Sequence, residues 1–202
     1  MFVPHCAPRT EKTVLVRWRN RRLMVHWDRI RRLEFACQPK KLCTSATSCC
    51  SNYEVTVGPR ERSIIDGMLP LVAKYLPNLR LNEGFENLFE PIEPGLYAIE
   101  QDENGVCRLA CRERGRLLCS LHRAALDLGL EPAWVKPRAC TLWPLILGRR
   151  DSRLVLSIDP SAESFPCVRL CSHSRSKPCP AVTDIVRALF GRRVLADLLA
   201  LD

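Results

Sequence analysis

Long hydrophobic runs are missing from this sequence. The longest apolar stretch, TLWPLILG at 141–148, falls well short of the ~20 residues a membrane-spanning helix needs, so no membrane partner is expected. The opening residues MFVPHCAPRTEK have no apolar core and no small-residue cleavage motif, so no secretory leader is expected; the expected compartment is the reducing cytoplasm. A Gly-rich phosphate loop, a nucleophile elbow, an HExxH helix and a dinucleotide-binding fingerprint are all absent, so no familiar catalytic motif assigns a reaction. The chain also lacks internal repeats and low-complexity segments. Acidic residues are scarce, 22 against 31 basic, for a formal net charge of +9. Taken alone, that balance suggests an acidic partner such as nucleic acid. It treats cysteine as neutral, however. Eight metal-bound thiolates would contribute about −8 and two zinc ions about +4, which would halve the excess.

Cysteine is the residue present in excess: 12 in a chain of 202. A chain of this length can bury a core without disulfide staples, and its 47% hydrophobic content argues against global disorder. In a reducing compartment, clustered thiols point to metal before bridges. Three groups stand out: Cys37, Cys43, Cys49 and Cys50; Cys107, Cys111, Cys119 and Cys140; and Cys167, Cys171 and Cys179. Thiolates suit zinc, copper(I) and iron–sulfur clusters, and short spacings such as Cys167-x3-Cys171 let one loop wrap an ion. The adjacent pair Cys49-Cys50 poses a geometric problem, because successive side chains of an extended strand face opposite ways. Two neighbouring centres would resolve it, and so would one ligand beside one inert thiol. Cys6 and Cys111 read as small buried hydrophobes.

The patterning predicts an α+β fold, with short hairpins and helices around a multi-cysteine metal centre built from loops. Residues 1–12 read as a flexible arm, and 13–202 as a single cysteine-cluster domain. Within it, 13–27 alternates as a basic β-hairpin, 35–180 forms the cluster core and 181–202 is helical, broken near Gly191. Between these, YEVTV at 53–57 predicts a strand, and Gly58-Pro59 opens a helix that Pro70 interrupts. Residues 96–109 read as two strands around the turn DENG. Ser120 is expected to cap a helix over 121–128, ended by Gly129. TLWPLIL and RLVLSID are expected to pair across the turn GRRD.

Four stretches resemble a known family. FACQPKKLCTSATSCC at 35–50 is similar to an opening cluster that ends in paired cysteines, and NGVCRLACRERGRLLCSLH to a middle element that places Cys107 and Cys119. VKPRACTLWPLIL resembles a basic-Pro-x-x-Cys element and places Cys140; FPCVRLC resembles a late Cys-x3-Cys and places Cys167 and Cys171. Together they resemble the CxxCxxCC (YkgJ-type) cysteine-cluster proteins, described as zinc- or iron-chelating domains. The five-residue gaps of the first cluster match the longer-spaced branch, and Cys111 and Cys179 have no counterpart. The resemblance implies a ligand set of Cys37, Cys43, Cys49, Cys50, Cys107, Cys119, Cys140, Cys167 and Cys171, holding zinc or an iron–sulfur cluster. Proteins similar in this cluster include protein lysine methylases, so an iron–sulfur-dependent enzyme acting on a protein substrate is the alternative.

His122, at Cys119-x2-His122, has a spacing that suits zinc, but reads better as a helix-face histidine; His173 is treated in the same way. Lys136 and Arg138 flank Pro137 just before Cys140, as countercharges to thiolates or as solvated loop residues. Glu86, Glu90, Glu93 and Glu100 form an acidic patch without an assigned role. Seven arginines between Arg17 and Arg32 surround Trp18 and Trp27, which opens a third reading, a zinc-stapled nucleic-acid-binding module. An edge hairpin protected by charge is preferred there, because the tryptophans share the apolar alternation and not the arginines' face. The sequence thus leads to a metal-binding protein, with zinc against iron, and one centre against two, left open.

Overall fold

A computed structural model describes residues 13–37, 47–76, 85, 88–173, 175 and 177–201. The chain opens with β1 (Val14–Trp18), β2 (Arg21–Val25), helix α1 (Trp27–Arg31) and β3 (Leu33–Phe35). Helix α2 (Cys49–Asn52), β4 (Thr56–Val57), helix α3 (Pro59–Val72), β5 (Phe89–Glu93) and β6 (Leu96–Ile99) follow. Next come β7 (Ala110–Glu113), β8 (Arg116–Cys119), helix α4 (Ser120–Asp127) and helix α5 (Arg138–Leu142). The chain ends with β9 (Leu145–Arg150), β10 (Arg153–Ile158), β11 (Val168–Leu170), helix α6 (Pro180–Phe190) and helix α7 (Arg192–Leu199). The fold is α+β, and no helix among the described residues is long and apolar enough to cross a membrane.

Two compact units divide the chain. One comprises residues 1–36, 144–163 and 168–202; the other comprises 37–143 and 164–167.

The discontinuous unit is built on a four-stranded sheet of order β1-β2-β10-β9. The expected basic hairpin is its first half, with Val16 level with Leu23. Val16, Trp18, Leu23 and Val25 are buried, and Leu145, Leu156 and Ile158 extend the same core. Fully burying a leucine such as Leu23 stabilises by about 1.5–3 kcal/mol. Helices α6 and α7 are amphipathic; Val182, Val186 and Phe190 are buried on one, Val194, Leu195 and Leu198 on the other. The Phe190 ring meets Trp18 edge-on at 5.0 Å. The break between these helices falls where expected, at Gly191, whose φ of 92° disfavours any side chain. β3 and β11 pair as a separate two-stranded sheet. The expected GRRD turn is displaced: Arg149 and Arg150 belong to β9, and Asp151 and Ser152 make the turn with positive φ.

The second unit holds a three-stranded sheet of order β4-β6-β5 and the hairpin β7–β8. Val57, Ile65, Leu88, Leu109, Leu121 and Ala125 are among its buried core. Helix α3 begins at Pro59 as expected but runs through Pro70 to Val72. Proline removes one intrahelical bond there, and a 3₁₀ turn over Ala73–Tyr75 follows at once. The DENG turn forms: Asp102 accepts from the amides of Asn104 and Val106, both at 2.9 Å. Its second flank is not a strand, however; only a Gln101–Cys107 bridge forms, and β7 starts later, at Ala110. Ser120 is not the helix cap. It is the buried first residue of α4, and its hydroxyl donates to the Leu109 carbonyl at 2.6 Å. Gly129 ends that region with φ 67°. The stretch before Pro144, expected to start a strand, is helix α5.

Candidate metal centre

The adjacent pair Cys49-Cys50 lies on the first turn of α2, not on an extended strand. Buried Ser48 makes this turn, accepting from the Cys50 amide at 3.1 Å, while Ser51 and Asn52 side chains donate to its carbonyl. Helical residues are rotated by roughly 100°, so the two thiols can serve one locality. They interact directly: contact with Cys49 is the largest influence pushing the Cys50 thiol well above its ordinary value, ahead of burial.

Cys107 is tied to this turn by its backbone, since its amide donates to the Cys50 carbonyl at 2.7 Å. Burial and then the neighbouring Cys50 push its thiol far up. Cys119 ends β8 and immediately precedes α4. Burial raises its thiol, while Lys136 and the first-turn amides of α4 favour the thiolate. Cys140 sits within α5. The N-terminus of that short helix is anchored by Glu61, whose Oε1 accepts from the Arg138 amide at 2.7 Å across 77 positions of sequence. Burial and then Cys119 raise the Cys140 thiol well above its ordinary value; Lys136 pulls the other way.

Lys136 is the shared neighbour. Burial alone would lower its ammonium, yet Cys119, Cys140, Cys49 and Cys37 together raise it. Cys37 is exposed as a residue, but partial burial and Cys50 still raise its thiol against Lys136. Cys167 joins through burial and then Cys37. Its segment is held by a ring stack: Trp143 contacts Tyr53 at 4.9 Å and Phe165 at 4.6 Å between centroids.

The second unit therefore gathers Cys49, Cys50, Cys107, Cys119 and Cys140 within electrostatic reach of one another or of Lys136, with Cys37 and Cys167 alongside. As the side chains stand, no three Cys, His, Asp or Glu groups among the described residues are close enough to hold one ion. Cys43 lies outside the described residues, as do Cys6 and Glu86. Cys49 and Cys50 stand on a short helix, one of the two settings expected for the first cluster, and Cys37, Cys107 and Cys167 lie between elements. Cys140 is helical and Cys119 ends a strand, so the expectation of loops is corrected for those two.

Other expected ligands sit differently. Cys171 belongs to the discontinuous unit, where its amide donates to Arg32 and its carbonyl accepts from the Arg32 side chain at 2.7 Å. Cys179, in the same unit, reaches the Phe35 carbonyl through sulfur at 3.7 Å. Cys111 is the buried hydrophobe expected, its Sγ donating weakly to Leu118 at 3.4 Å. His122 is exposed on α4, and burial and Lys136 lower its pKa; His173 meets Ser172 at 2.9 Å. Glu61 was not among the expected residues. Its place three residues after Gly58 is a sequence signal for the helix start, but nothing local signals its bond to Arg138, 77 positions away.

No protein-family model, curated protein or solved structure matches the chain.

Proposed function

We propose that the chain is a metal-binding protein that coordinates zinc or an iron–sulfur cluster through Cys49, Cys50, Cys107, Cys119 and Cys140, joined by Cys37, Cys43 and Cys167. Cys171, also in the ligand set implied by the resemblance to the cysteine-cluster proteins, belongs to the discontinuous unit. The observation that carries the proposal is the convergence of thiols from separate segments around Lys136, with Cys107 bonded through its backbone to Cys50. The donor set fits the group. Soft thiolates suit zinc and iron, and there are more of them than one four-coordinate ion can use. Buried thiols with raised pKa are protonated until a cation arrives, so metal uptake releases protons. Lys136 then offsets the negative charge of the loaded centre. The ten described cysteines are free thiols, as a ligand set in the reducing cytoplasm requires.

The test is anaerobic purification followed by elemental analysis and absorption spectroscopy on one sample. Stoichiometric zinc, or iron with acid-labile sulfide, is expected, and Cys49→Ser or Cys119→Ser should lose it while Cys111→Ser keeps it. A metal-free protein whose thiols all react with a disulfide reagent would overturn the reading.

A further inference from the structure

The four-stranded sheet brings together arginines that the sequence keeps far apart. Arg17 on β1 is level with Arg22 on β2. Leu23 is level with Leu154 on parallel β10, so Arg22 and Arg153, one residue back on each strand, are level too. Arg153 in turn is level with Arg150 on β9. Both hairpin turns thus lie at the same end of the sheet, and four arginines stand in one row across it, all exposed. Level residues share a face, opposite the one that buries Val16 and Leu23; it is exposed at this end, while Val155, two residues beyond Arg153 on the same face, is buried. At ~4.8 Å per strand, the row spans roughly 14 Å.

Such a row is unfavourable by itself, because like charges directly opposite repel. Nothing among the described residues offsets it: none of the four arginines joins an ion pair. Asp151, the one acid in the two hairpins, lies in the turn beyond the row. Protection of sheet edges by charge accounts for Arg17 and Arg150, which are on the edge strands β1 and β9. It does not account for Arg22 and Arg153, which occupy the two central strands. The cations are guanidinium groups throughout, the fork that matches phosphate oxygens two at a time. Arg19 and Arg21 lie at the turn next to the row, and an open concavity of about 560 Å³ at this hairpin is lined by Leu15, Val16, Arg17, Asn20, Arg21 and Arg22.

We propose that this exposed end of the sheet binds nucleic acid through the phosphodiester backbone, with the Arg17–Arg22–Arg153–Arg150 row as its contact line. Readout is independent of base sequence, since no aromatic side chain of β1, β2, β9 or β10 stands on this face to stack a base: Trp18, their one aromatic, shares the buried alternation. The proposal does not depend on the metal reading.

The test is fluorescence anisotropy of the full chain with a labelled single-stranded oligonucleotide and with the matching duplex, between ~50 and ~200 mM KCl. Four phosphate contacts predict a log–log salt slope of roughly −3 for single strands and closer to −4 for duplex, and the tighter form identifies the ligand. Arg22→Gln/Arg153→Gln removes two contacts, so its slope should fall by about half. Arg192→Gln/Arg193→Gln removes the same charge from exposed positions on α7 and should leave the slope unchanged. The first double variant should also melt no lower than wild type, because it relieves repulsion. The proposal is overturned if neither oligonucleotide binds at the lowest salt, or if both double variants weaken binding alike. Arginine-dependent binding to anionic phospholipid vesicles without binding to either oligonucleotide would also overturn it, as would a lower melting temperature for Arg22→Gln/Arg153→Gln.

Discussion

Replacing Glu61 by alanine should detach a thiol-bearing helix from its anchor. The carboxylate does two things at once. Its Oε2 accepts from the Gly58 amide at 3.2 Å and closes the start of α3, and its Oε1 accepts from the Arg138 amide at 2.7 Å at the start of α5. Hydrogen bonds to a charged acceptor contribute about 1.5–3 kcal/mol when short and well aligned. The bond to Arg138 belongs in that range, and the longer one to Gly58 nearer 1 kcal/mol, as a cap. Glu61→Ala should therefore cost roughly 2–4 kcal/mol, or about 5–15 °C in melting temperature for a chain of this size. Glu61→Gln keeps one acceptor oxygen and loses the charge, so about half that loss is expected. The same variants should weaken metal retention, since Cys140 sits two residues beyond Arg138 and orientation of a ligand's support typically governs affinity by ~10–100-fold. Thermal melts of the apo form and chelator competition on the loaded form read the two effects separately. Unchanged melting and retention in Glu61→Ala would show that Glu61 anchors nothing and leave core packing as the sole support of α5.

Lys136→Gln should lower metal affinity by about tenfold, while Lys136→Arg retains most of it, measured by competition with a chromophoric chelator. Trp143→Ala breaks both ring contacts that hold the Cys167 segment and should cost about 3–5 kcal/mol in urea unfolding, against far less for Trp143→Phe. In the apo protein the Cys119 and Cys140 thiols are raised above 9.0, so the fold favours their protonated forms. That contribution is fully present below pH 9 and is lost as pH rises through the folded values, so apo melting temperature should fall on going from pH 8 to pH 11. The metal-loaded form, already deprotonated at sulfur, should show a flatter profile over the same range.

What the sequence made legible was periodic or emphatic. The alternation of Val14, Val16 and Trp18 with Leu23 and Val25 marked the first hairpin, and Gly191 marked the break between α6 and α7. Cysteine abundance alone pointed to the thiol-rich unit. What stayed hidden depended on distant partners. β3 and β11 are three residues each, too short for a pattern, and exist because they find one another. The apolar run at 141–148 hid a boundary between helix α5 and strand β9, which periodicity does not separate over so few residues. Ser120 looked like a cap, yet its hydroxyl had a buried carbonyl to satisfy. The extended-chain argument for Cys49-Cys50 does not apply, because Ser48 winds that segment into a helical turn. Lys136 was visible as a countercharge beside Cys140, but not its reach to Cys119, Cys49 and Cys37; the bond from Glu61 to Arg138 and the arginine row depend on distant partners.

The parallel pairing of β2 with β10 also sets an order of events in time. Val25 and its partner Leu156 are separated by about 130 residues, and nearly all of the second unit lies between them. At the usual pace of translation, on the order of ten seconds pass between the emergence of the two strands. During that interval every cysteine from Cys37 to Cys140 has already left the ribosome, while β2 still waits for its neighbour on one side. Residues 37–143 therefore have the opportunity to fold before the sheet that encloses them in sequence can be completed, whereas Ser164–Cys167, the rest of their unit, emerge only after β10.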